Sequence, residues 1–221
     1  MDVHSSDQVT DQAKGPKPKL RGVSHLISAV VAVPFVYSFM SGVSKDSLST
    51  AIGVYGVCLV LLFAVSALYH VPMWSPDVRA KLRRLDRSMI YVFVAGTYTP
   101  MVASLEGHVS SWVLPAAWSA AGIGIAMTIL FSNLPRYITA APYVVLGWGA
   151  IVIMPAVMTQ FGPVIFWQIA GGGVAYTFGA VVYAKRYPNP WPTVFGYHEI
   201  FHLLVIMAAA SHFVAIRAAV S

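Results

Sequence analysis

Long apolar runs free of Asp, Glu, Lys and Arg, divided by short polar or basic stretches, set the pattern of this 221-residue chain. Uncharged runs cover residues 22–44, 47–76, 88–105 and 107–135, and each can hold one membrane-crossing helix of about 20 residues. The uncharged run 137–184 is too long for one crossing and contains the turn signal Gln160-Phe161-Gly162-Pro163, which predicts two helices. The last run, 200–216, extends back through His198 to Pro188-Asn189-Pro190 and Pro192, residues that do not fit a helix interior. The pattern therefore predicts an all-α, polytopic membrane protein. Its expected parts are a flexible basic tail over residues 1–20 and a domain of seven transmembrane helices over residues 21–221.

Composition agrees with the pattern. Hydrophobic residues make up 57% of the chain and charged residues 10%, against about a quarter charged in a soluble domain. The lone cysteine, Cys58, lies inside an apolar run, so it can form no internal disulfide and reads as a small buried hydrophobe. The tail lacks the apolar core and small-residue cleavage pattern of a signal peptide. The net charge of +6 does not point to nucleic acid, because the basic residues cluster between apolar runs and read as topology signals. With seven crossings, Lys14, Lys17, Lys19, Arg21, Arg79, Lys81, Arg83, Arg84, Arg87, Arg136, Lys185 and Arg186 fall on one side, and only Lys45 and Arg217 on the other. The positive-inside rule then places the N-terminus in the cytoplasm and the C-terminus outside.

That topology brings candidate chemistry together. His198-Glu199-Ile200-Phe201-His202 opens the last helix with two imidazoles one turn apart on one face. His70 closes the second helix, Asp86 opens the third, and Ser66 lies one turn deeper on the face of His70. All are expected at the cytoplasmic end, and ionisable residues at the edge of a lipid-embedded helix mark functional sites. Three neutral histidines, His70, His198 and His202, leave one position of a tetrahedral Zn2+ open, as catalytic sites do. Such a site lowers the pKa of its water from 15.7 to about 7. Asp86 is the candidate base for that water, and Ser66 a candidate hydrogen-bond donor to a ligand or a substrate oxygen. The product of this chemistry would be a zinc hydrolase facing lipid.

Simpler readings stand beside these. Ser66 can bond its own helix backbone, and Asp86, flanked by Arg83, Arg84 and Arg87, can be an interfacial ion pair. His25, at the start of the first helix, reads as an interfacial residue; His4 and His108 fall in tail and loop. His212 lies ten residues past His202, roughly 15 Å along the helix, too far to share a metal. The spacing His-Glu-x-x-His is also a metalloprotease signature with Glu199 as base. No acidic residue follows Glu199, so a protease drawing a carboxylate ligand from a later helix lacks it here. Gly171, Gly172 and Gly173 permit close helix packing.

The motifs Ser66-Ala-Leu-Tyr-His70, Arg84-Leu-Asp86, Ala95-Gly-Thr-Tyr-Thr-Pro100 and Phe195-Gly-Tyr-His198-Glu-Ile-Phe-His202, in this order, resemble the hemolysin III family. These are the bacterial relatives of the progestin and adipoQ receptors, which include the adiponectin receptors. The likeness runs from Arg21-Gly-Val-Ser-His25 almost to the C-terminus. It implies a seven-helix protein of the plasma membrane, the inner membrane in a bacterium, with zinc held by His70, His198 and His202 and with Asp86 and Ser66 close by. One departure is Arg87, where many members carry histidine. Similarity to adiponectin receptors and alkaline ceramidases implies hydrolysis of a lipid amide, whereas the bacterial branch is named for lysis of red cells. Two functions are therefore expected in competition. One is a zinc-dependent hydrolase of a membrane lipid amide or ester. The other is a non-enzymatic pore-forming hemolysin or lipid-sensing receptor in which zinc clamps three helices. A pore needs a polar stripe, and the uniformly apolar spans favour the hydrolase.

Overall fold

The computed structural model describes residues 17–43, 46–107, 109–131 and 136–220. His4, Lys14, Lys45 and His108 lie outside the described residues, as does most of the basic tail. The described residues form seven α-helices and no β-strand: α1 Val23–Ser41, α2 Asp46–His70, α3 Pro76–Ser104, α4 Val109–Leu130, α5 Arg136–Trp148, α6 Met154–Lys185 and α7 Tyr197–Val220, with a 3-10 turn Gly149–Val152 between α5 and α6. Five segments are long and apolar enough to cross a membrane: Val23–Ser41, Leu48–His70, Ser111–Leu130, Met154–Lys185 and Tyr197–Val220. The chain is an integral, multi-pass membrane protein.

The break expected near Gln160–Pro163 falls on Gly162, whose φ of 81° and ψ of −179° leave the helical region inside α6. Only glycine occupies this conformation readily. The Gln160 side chain accepts from the Glu106 amide at 3.0 Å and donates to the Ser104 carbonyl at 2.8 Å. The break is thereby fixed at the C-terminal end of α3. The Tyr98 hydroxyl donates to the Leu146 carbonyl at 2.8 Å, so residues 136–161 run beside α3 and residues 163–185 turn back from it.

Sequential helices pack side by side, and α7 contacts α1 and α3 as well as α6, which closes the bundle. Small residues set the close approaches. A Cβ at Gly96 would stand 2.8 Å from Cys58, at the α2–α3 contact, and one at Gly172 would stand 2.4 Å from the His212 ring, at the α6–α7 contact. Cys58 is buried, as expected. Of the glycine triplet, Gly172 serves packing within the chain, while Gly171 and Gly173 meet nothing within 4 Å.

The third helix begins earlier than its apolar run. Pro76 occupies its first turn with Asp77, and both suit a helix start, since the proline has no N–H to orphan and the carboxylate meets the positive end of the helix dipole. Twelve residues before Ser88 are thus helical, and they carry the arginines onto a regular helix face.

Candidate metal centre

The start of α7, which carries His198 and His202, is held by its own cap. Gly196 precedes the helix and donates its amide to Glu199 Oε2 at 2.7 Å, the reach-back half of a capping box. The Tyr197 amide is satisfied by Asn189 Oδ1 at 3.2 Å, so the Pro-Asn-Pro segment that stops α6 from continuing also caps α7. The other carboxylate oxygen of Glu199 accepts from Arg21, which precedes α1. Glu199 is buried and fully engaged by these partners, turned to the cap rather than to the histidines.

Chain segment 17–22 is tied to the same corner. Lys19 and Leu20 donate their amides to the Thr193 and Val194 carbonyls at 3.0 and 3.1 Å. Lys17 Nζ donates to the Val71 carbonyl at 2.8 Å. Partial burial, then the Arg79 and Arg21 guanidiniums, lower the pKa of the Lys17 ammonium. Gly22 turns the strap into α1 with φ 83°, and a Cβ there would lie 2.6 Å from the Cβ of His70. Backbone therefore packs directly on a candidate ligand.

The structure brings His70, His198 and His202 together with one donor atom from each lying within 4.8 Å of the others. His198 Nε2 and His70 Nε2 are 3.1 Å apart. Two nitrogens bound to one tetrahedral zinc at about 2.05 Å would stand about 3.3 Å apart. His202 is almost wholly buried, and its Nδ1 has no hydrogen-bond partner among the described residues. An orphaned buried imidazole nitrogen costs free energy unless something fills its valence, as a metal ion could. The donor set and its spacing fit a metal ion.

Asp86 and Ser66 converge on the same place. Asp86 Oδ2 lies 3.8 Å from His70 Nε2, too long for a direct hydrogen bond, which leaves the carboxylate beside the ligand set rather than within it. Ser66 is buried and its hydroxyl is turned to the Asp86 carboxyl. His212, as the spacing required, is remote: its Nε2 meets the Ile169 carbonyl at 3.0 Å.

The residue that sequence reading missed is His25. It is buried instead of facing the interface, and it stacks on His202 with ring centroids 3.8 Å apart and planes 7° from parallel. The other face of the reading was a lone histidine at a helix start, for which spacing along the chain carries no signal. Only the packing of α1 on α7 shows that its ring fixes the plane of His202.

The histidines stand at one end of a cavity of about 1120 Å³ that continues past Tyr176 and His212 to Ile216. From His198 to Ile216 along α7 is roughly 27 Å at 1.5 Å per residue, so the cavity runs deeper than one leaflet of a bilayer whose core is about 30 Å thick.

Residues 14–213 match the model of the family described as haemolysin-III related. The chain is similar to hemolysin-3 of Bacillus cereus, with 30% identity over 197 residues covering 86% of both chains. It is also similar to the monocyte to macrophage differentiation factor of Homo sapiens, with 27% identity over 168 residues, or 74% of this chain and 67% of the relative. A shorter stretch of 49 residues, 20% of this chain and 21% of the relative, is 45% identical to the heptahelical transmembrane protein ADIPOR2 of Oryza sativa subsp. japonica.

Proposed function

The chain belongs to the haemolysin III family, and from that premise we propose that it is a zinc-dependent hydrolase of a membrane lipid amide or ester, crossing the membrane seven times. The observation that carries this reading is the placement of a carboxylate, Asp86, against but outside a three-histidine cluster at the mouth of a deep cavity between the helices. A purely structural clamp needs the histidines alone; it has no use for an aspartate held beside them or for space in which an acyl chain fits.

His70, His198 and His202 would hold the ion, with His25 and Gly22 fixing the orientations of His202 and His70. When bound, zinc would supply Lewis acidity toward an acyl carbonyl and a water molecule. The chain's own groups do the rest. Asp86 accepts the proton of that water at Oδ2 and returns it to the leaving amine or alcohol. Ser66 orients the Asp86 carboxyl. The cavity beyond His202 receives the acyl chain and excludes bulk water from the reacting carbonyl.

Purified protein incubated with a panel of long-chain lipid amides and esters, with and without a chelator, is expected to release fatty acid only when metal is retained. No turnover at any pH between about 6 and 9, with one metal per chain present, would overturn the hydrolase in favour of a receptor or pore with structural metal.

A further inference from the structure

Six cationic side chains, Lys17, Arg21, Arg79, Arg83, Arg87 and Arg186, line the cavity that holds the histidines, against a single carboxylate, Asp86. Three of the six are engaged. Lys17 donates to the Val71 carbonyl, Arg21 pairs with Glu199, and Arg79 bonds the Tyr69 hydroxyl. Arg83 and Arg186 have no hydrogen-bond or ion-pair partner among the described residues, and Arg87 acts on the Asp86 carboxylate through space without a direct hydrogen bond to it.

Their arrangement is specific. Arg79, Arg83 and Arg87 are spaced four apart on α3 and so form a ladder on one helix face, with Arg83 and Arg87 half-buried while Lys81 and Arg84, off that face, are exposed. Like charges four apart repel each other along a helix, and a half-buried guanidinium without an acceptor is costly. Orientation in the membrane needs basic residues near helix ends but does not need them on the face that lines a cavity. Arg186 closes α6 in the left-handed conformation with φ 55° and supplies a cation from a second helix to the same mouth. Low-dielectric walls around a single-signed cluster focus its field on whatever enters.

We propose that the guanidiniums of Arg83, Arg87 and Arg186 form a headgroup site for an anionic amphiphile, a phosphate or carboxylate bound at the mouth while its single long chain lies in the cavity. The inference deepens the hydrolase reading by naming the headgroup class of its lipid, and rests on it only in taking a lipid as the occupant. Planar guanidiniums suit the bidentate geometry of phosphate and carboxylate oxygens. The metal-ligand end then sits beside the headgroup, so the bond presented to Asp86 is one close to the anionic end of the lipid.

Hexadecyl phosphate, which has no acyl bond to cleave, tests this independently of turnover. Full-length protein in nanodiscs of zwitterionic lipid is expected to bind hexadecyl phosphate at least roughly ten-fold more tightly than hexadecylphosphocholine, and inorganic phosphate weakly. Arg83→Gln and Arg186→Gln, one on each helix, are each expected to remove most of that preference, while Lys81→Gln keeps it. Equal binding of the phosphate and phosphocholine probes would overturn the site, as would an equal loss in Lys81→Gln, which would signal surface charge alone. Binding of inorganic phosphate as tight as that of hexadecyl phosphate would overturn the amphiphile as occupant. Tight, arginine-dependent binding of the probe by a protein that hydrolyses no lipid would leave the headgroup site standing and remove only the hydrolase.

Discussion

At the scale of single residues, the site separates imidazoles that could hold a metal ion from groups that keep those imidazoles in place. His202→Ala removes a ligand from the most buried position and is expected to strip most of the metal from purified protein, which metal analysis reads directly. Asp86→Asn is expected to keep close to one metal per chain and to lower lipid hydrolysis by about 10²- to 10⁴-fold, the usual worth of a general base. Loss of metal in that variant would move Asp86 into the ligand set. Glu199→Gln sorts the site from the metalloprotease pattern its neighbours spell. Because Glu199 caps α7 and pairs with Arg21, the change is expected to cost on the order of 1–3 kcal/mol of stability while metal stays bound. A drop in hydrolysis with stability untouched would instead make Glu199 the base. The convergence of His70, His198, His202 and Asp86 was legible from spacing and depth, as were the distance of His212 and the burial of Cys58. The cap made by Glu199 and the stack made by His25 were not. Each depends on a partner from another part of the chain, Arg21 in one case and His202 in the other.

At the scale of helices, the apolar runs located the helical segments but missed the early start of the third and the 3-10 turn Gly149–Val152 that interrupts the long run before Gly162. The segment 76–87 reads as a charged loop because hydropathy is low there, yet Ser75-Pro76-Asp77 is a helix start in its residue types. The extension matters, since it turns scattered basic residues into the ladder of Arg79, Arg83 and Arg87. The Gly162 break was legible because glycine before proline is both flexible and helix-breaking. Gly162→Ala isolates the backbone contribution: nothing lies within 4 Å of an added Cβ, so the change brings no clash, only a conformation that side chains disfavour. The expected loss is about 1–3 kcal/mol, read as a lower thermal midpoint with metal content unchanged. Gly22→Ala, by contrast, should lower metal content too, because its Cβ would press on His70.

At the scale of the whole molecule, seven crossings, an odd number, would put the two ends of the chain in different compartments. Reporters fused after Ser5 and Ser221 are expected to report the cytoplasm and the exterior respectively. Both on one side would contradict an odd number of crossings. What no sequence pattern displayed was the cavity, because empty space is a property of how helices from distant parts of the chain are arranged around it rather than of any residue in them.

The two histidines in closest approach, His70 and His198, are separated by 128 positions along the chain. Synthesis runs from the N-terminus, so the metal centre has no complete ligand set until the last helix has left the ribosome and entered the bilayer. Loading of a metal by all three histidines would therefore follow synthesis of the last helix, and a chain interrupted anywhere before Tyr197 carries at most one of the three. A metal held by all three histidines would thus certify that the last helix has joined the bundle.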